Sequence, residues 1–86
     1  MDVPDHALKE AHEHSSYHWG ELYHSAVCGC FYCCETFDFN EIEDWTDKGV
    51  TALCPECGID AVIGEASGFP VDDIGFLQAM NRYWFS

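Results

Sequence analysis

The chain has 86 residues, 48% of them apolar and 15% aromatic, with three basic residues against sixteen acidic ones and a formal net charge of −13. That composition is globular, unlike a disordered acidic tail, and the length suits one domain over residues 1–86 with only a modest apolar core. Direct binding of DNA or RNA is not expected, because Lys9, Lys48 and Arg82 are too few to displace phosphate counterions.

Residues 1–26 read as an N-terminal helical segment. Pro4 is tolerated near a first turn, and Asp2 or Asp5 complements the helix dipole there. Leu8, Ala11, Ser15, Trp19, Leu22 and Ala26 advance by three or four, which predicts one apolar face; Gly20 is the expected point at which the helix splits. All five histidines (His6, His12, His14, His18 and His24) lie in this segment. His14 and His18 are four apart and share a helical face, but Ser15 follows His14, so the His-Glu-x-x-His metalloprotease motif is absent. The plainer reading is histidines at the rim of an acidic helix, with a supporting role beside the cysteines as the sharper one.

All six cysteines fall between residues 28 and 57. Cys30-Phe-Tyr-Cys33 and Cys54-Pro-Glu-Cys57 form two Cys-x-x-Cys pairs about twenty residues apart, the spacing of a structural zinc site. Such a turn lets two sulfurs face one point while backbone N–H groups bond the thiolates. Gly58 supplies the positive φ often needed after it, and Pro55 stiffens it from within. The expected metal is Zn²⁺, held by Cys30, Cys33, Cys54 and Cys57. Cys28 and Cys34 are spare, although the gap from Cys30 to Cys34 also permits Cys34 as a ligand. A spare thiol is either a small buried apolar residue or a redox sensor. Phe31 and Tyr32 are expected to pack over the metal or onto the core.

Between the pairs, Asp38 and Glu41 make a capping box, with Phe37 and Ile42 as its hydrophobic staple, which predicts a short helix from Phe39 to about Thr46. Asp47-Lys48-Gly49 reads as a turn and Val50–Leu53 as a short strand. After Cys57, Ile59, Val62 and Ile63 favour a strand returning beside residues 50–54, which makes a zinc ribbon. A helix starting at Asp60 makes a treble clef instead. Residues 66–70 read as a loop. Asp72 or Asp73 then caps a C-terminal helix over residues 71–85, with Ile74, Leu77, Met80 and Trp84 as its apolar stripe. The expected fold is therefore α+β: a small four-cysteine zinc-binding core over residues 28–64, flanked by N- and C-terminal helices.

The motifs Cys28-Gly-Cys-Phe-Tyr-Cys33, Glu41-Ile42 with Trp45, Thr51-Ala-Leu-Cys-Pro-Glu-Cys-Gly-Ile-Asp60, Val62-Ile63-Gly64, Ser67-Gly68-Phe69-Pro70 and Trp84-Phe85 resemble a family of small bacterial zinc-ribbon-like cytoplasmic proteins. His14-Ser15 and His18 fit the same pattern, so the likeness spans about residues 12–86. It implies a bacterial or phage context, a cytoplasmic location and zinc binding, and it carries no activity. Cys34 stands where that family has an aliphatic residue, and Ala61 where it has Ser.

The cytoplasmic reading agrees with the chain itself. No basic segment followed by an apolar run signals export, and the apolar stretches are too short to span a membrane. A reducing compartment also favours thiolate–zinc over disulfides. Four thiolates and one zinc sum to −2, taking the charge to about −15. The function expected is a zinc-stabilised acidic protein-interaction module without catalysis of its own, regulating or inhibiting a basic, nucleic-acid-handling protein. The competing classes are a small metal-dependent or thiol enzyme using His14 and His18 near the zinc, with Asp60, and a redox or metal sensor using Cys28 and Cys34.

Overall fold

A computed structural model describes residues 3–85. Met1, Asp2 and Ser86, and with Asp2 its suggested part in the helix dipole, lie outside them. Pro4 opens the first helix, α1 (Asp5–His12), its extended ψ of 149° turning the chain in and its carbonyl accepting from the N–H groups of Ala7 and Leu8. Leu8 and Ala11 face the interior.

The helix expected over residues 1–26 is not continuous. It passes into a 3₁₀ turn at Glu13–Ser15, runs extended at Ser16 and takes a left-handed conformation at Tyr17 (φ 50°) before α2 (Trp19–Tyr23) begins. Gly20 lies inside α2 and is not the break. The cause is tertiary. The Tyr17 N–H donates to Thr51 Oγ1 at 2.8 Å and the His18 N–H to the Val50 carbonyl at 2.8 Å, so distant acceptors replace the i−4 carbonyls. Interruption also rotates the apolar face. Leu8, Ala11, Ser15 and Leu22 are buried as expected, but Trp19 and Ala26 are exposed, and His18 takes an interior place.

Three short strands form the larger sheet: β1 (Cys28–Cys30), β2 (Thr36–Phe37) and β5 (Val62–Gly64), antiparallel in the order β2-β1-β5. A separate hairpin pairs β3 (Trp45–Thr46) with β4 (Thr51–Ala52) through a turn in which Asp47, Lys48 and Gly49 all have positive φ. The strand expected after Cys57 is present, but its partner is β1 and not residues 50–54. Residues 51–52 are already paired with β3, so the ribbon hairpin does not close between them. No helix starts at Asp60, as a treble clef requires; the next regular element is β5.

The helix expected over Phe39–Thr46 is a single 3₁₀ turn, Phe39–Glu41. Its capping box does form, with the Asp38 N–H donating to Glu41 Oε2 at 2.8 Å. Ile42 then goes extended and the chain joins the β3–β4 hairpin, where the Leu53 N–H donates to the Asp44 carbonyl. Here pairing across the hairpin outweighs a local start signal.

The last helix, α3 (Ile74–Phe85), is capped by Asp73, whose Oδ1 accepts from the Gly75 N–H at 2.8 Å. Phe76, Leu77 and Met80 are its buried stripe; Ile74 is exposed, and Trp84 sits at the rim with its Nε1–H donating to the Leu8 carbonyl. Leu77 of the helix and Val71 just before it close over β1. A Cβ on Gly29 would come within 2.8 Å of the Val71 carbonyl oxygen, so only glycine fits there. Phe31, Leu22, Val62, Ile63, Val71, Phe76, Leu77 and Met80 form one continuous core with Cys28 and Cys30. Each large side chain contributes about 1.5–3 kcal/mol by its burial. The architecture is mixed helix and small antiparallel sheet, and no helix among the described residues is long and apolar enough to cross a membrane.

Candidate metal centre

The two Cys-x-x-Cys turns have the same backbone. In the first, at the end of β1, the Tyr32 N–H points at Cys30 Sγ (3.4 Å), the Cys34 N–H donates to the Cys30 carbonyl (2.8 Å), and the Cys30 N–H donates to the Glu35 carbonyl (3.0 Å). In the second, after β4, the corresponding bonds run from Glu56 to Cys54 Sγ (3.3 Å), Gly58 to the Cys54 carbonyl (2.9 Å) and Cys54 to the Ile59 carbonyl (3.0 Å). Each turn thus aims two sulfurs outward and offers N–H dipoles to them. Gly58 has the positive φ expected of it, 79°, and Cys34 occupies the matching position at 63°.

Placed face to face, the turns bring together Cys30, Cys33, Cys54 and Cys57, with all four sulfurs within 4.8 Å of one another. Cys30 Sγ lies 3.7 Å from Cys57 Sγ, and Cys33 Sγ 3.7 Å from Cys54 Sγ. Sulfurs at the corners of a tetrahedron with Zn–S bonds of about 2.3 Å are separated by about 3.8 Å. Both short contacts run between the two turns, so an ion at the centre would be shared by them. All six cysteines are free of disulfides.

Without a cation, Cys30 and Cys33 are poor acids. Burial pushes Cys30 well above the usual thiol range and Cys33 up to about 11. At Cys57 burial also raises the value, but the Ile59 N–H and the neighbouring thiols bonded to its sulfur outweigh it, and the net direction is down. A divalent ion reverses this balance by stabilising the thiolates directly. The donor set is soft, all-sulfur and gathered at tetrahedral spacing, which fits a metal ion such as zinc.

Cys28 and Cys34 do not join the cluster. Cys28 is fully buried in β1, its thiol pushed up to about 12 by burial and by Asp38 and Glu65. Cys34 takes the left-handed position that closes the first turn, a role that setting Cys33-Cys34 against Cys57-Gly58 reveals in the sequence. Phe31 packs into the core, while Tyr32 is half-exposed with its ring edge-on to Phe85.

His14 and His18 do not form a metal pair. His18 is buried; its Nδ1 lies 2.7 Å from the His14 carbonyl and its Nε2 3.0 Å from the Ala52 N–H. A carbonyl only accepts and an amide only donates, so the ring is neutral with its proton on Nδ1. Both nitrogens are consumed in fastening the chain break at residues 16–18 to β4. His14 Nδ1 instead faces Glu21, 3.0 Å from Oε1. Among the described residues, the four cysteines are the one cluster of three or more potential ligands, and Asp60 is not part of it. Comparison of the chain with family models, curated proteins and solved structures gives no match.

Proposed function

We propose that the chain is a zinc-stabilised, acidic interaction module that has no catalysis of its own and docks a basic protein. The observation that carries the reading is the cluster of four cysteine sulfurs within 4.8 Å. Four thiolates fill a tetrahedral shell and leave no place for an activated water, which is the pattern of a structural site. The charge of −13 favours a basic partner and disfavours nucleic acid. A nucleic-acid-handling protein, which the module would inhibit or regulate, fits that charge. The likeness to small bacterial zinc-ribbon-like cytoplasmic proteins, and the cytoplasmic setting it implies, belong to the same reading.

Occupancy of both His18 ring nitrogens by backbone partners removes that residue as a base or ligand and argues against an enzyme built on the His14–His18 pair. The test is zinc X-ray absorption on protein produced without added metal. Four sulfurs at about 2.3 Å and no nitrogen or oxygen are expected. A water or imidazole in the shell would overturn the non-catalytic reading.

A further inference from the structure

Four aromatic rings gather on the side of the molecule built from α2, the Phe39–Glu41 turn and β3. Trp19 and Tyr23, four residues apart on α2, stack with centroids 5.1 Å apart and planes within 12°. Phe39 stands edge-on to both, at 5.6 Å and 5.5 Å, and Trp45 adjoins Phe39 at 5.8 Å. Such pairs normally occur inside a protein, yet Trp19 is 43% exposed and Tyr23 57%. The segment that supplies Phe39 and Trp45 also carries Asp38, Glu41, Glu43, Asp44 and Asp47, all exposed. Exposed rings that share a segment with carboxylates attract a cation doubly, through the π quadrupole and through charge.

We propose that this acidic aromatic patch is the docking site for an arginine-bearing segment of a partner protein. Arginine is favoured over lysine because its planar guanidinium stacks on rings while still bonding carboxylates in a fork. The inference rests on the acidic-module reading and gives it a location. It also ties the patch to the metal, because residues 38–47 are strung between Cys33 and Cys54.

The experiment titrates zinc-loaded protein with a short alternating Arg-Gly peptide and with its Lys-Gly counterpart, by calorimetry at low salt. The Arg-Gly peptide should bind more tightly, and Trp19→Ala and Tyr23→Ala should each weaken it about five- to tenfold while erasing the preference over Lys-Gly. Glu43→Gln with Asp44→Asn should weaken both peptides alike and flatten the salt dependence. These side chains are exposed, and unchanged zinc content and circular dichroism would confirm intact folds. Binding that ignores the ring substitutions would overturn the patch and leave the acidic module standing. No binding of either peptide would overturn both the patch and the basic partner. A wild-type dimer that Trp19→Ala dissociates in sedimentation would make the occupant a second copy and overturn the proposal as well.

Discussion

Substituting His18 probes the joint between the N-terminal segment and the hairpin, and its two bonds can be removed one at a time. In His18→Gln the amide oxygen reaches roughly the place of Nε2, so the buried Ala52 N–H keeps an acceptor and the His14 carbonyl loses its donor, a loss of about 1 kcal/mol. In His18→Asn the bond to His14 is retained, while the Ala52 N–H is left buried and unpaired beside a small cavity, at about 2–4 kcal/mol. Asn should therefore be the more damaging change. Acid supplies a second test. Burial holds the His18 pKa below its ordinary value, against the opposing pull of the His14 carbonyl and Glu21 and with help from the His14 ring. The unfolded chain then takes up the proton first, so the stability due to neutral His18 is complete above about pH 6.5 and falls as pH drops below it, by up to about 1.4 kcal/mol per unit. Urea unfolding of zinc-loaded wild type and His18→Gln at pH 7.5 and 5.5 separates this from the cysteines, whose contribution cancels in the difference. The advantage of the wild type over Gln should shrink on acidification. An advantage that grows, or Asn matching Gln, would refute the neutral, doubly bonded ring.

Cys34→Gly should keep full zinc content and stay within about 1 kcal/mol of wild type, since glycine accepts the left-handed backbone freely; Gly58→Val at the matching site should lose about 1–2 kcal/mol in the same urea titration. Gly29→Ala drives a Cβ toward the Val71 carbonyl and should lower stability by about 1–3 kcal/mol with zinc still bound, a loss read from thermal melts. Cys28→Ala should leave the metal stoichiometry at its wild-type value, because that sulfur lies in the core and outside the cluster; zinc lost on this substitution would place Cys28 among the ligands.

The parts of the molecule that obey local rules were legible in the sequence. Two Cys-x-x-Cys turns need only four residues each to acquire their shape, so the spacing alone marks Cys30, Cys33, Cys54 and Cys57. The Asp38–Glu41 capping box and the positive φ of Gly58 are local in the same way. What was hidden depends on partners far along the chain. The helical period through residues 8–26 was real for Leu8, Ala11 and Leu22, but Thr51 and Val50 pull Tyr17 and His18 out of the helix from more than thirty residues away. The same hairpin claims Trp45–Thr46 from the expected helix and occupies residues 51–52, which leaves β5 to pair with β1. On α3, Leu77 and Met80 are buried as the stripe predicts, but Phe76 is buried in place of Ile74, which lies about 100° around the helix from the middle of that face.

On the proposed reading, one ion held by two equivalent turns gives this small acidic chain its tertiary order. Structural zinc in such sites contributes about 10–16 kcal/mol, as much as the whole net stability of a typical domain. A chelator titration followed by near-ultraviolet circular dichroism, with metal counted at each step, reads that dependence directly. One zinc per chain should leave in step with the loss of the aromatic signal, and both should return when zinc is restored. A metal-free chain that keeps its full near-ultraviolet spectrum would show that the ion is not what orders the fold.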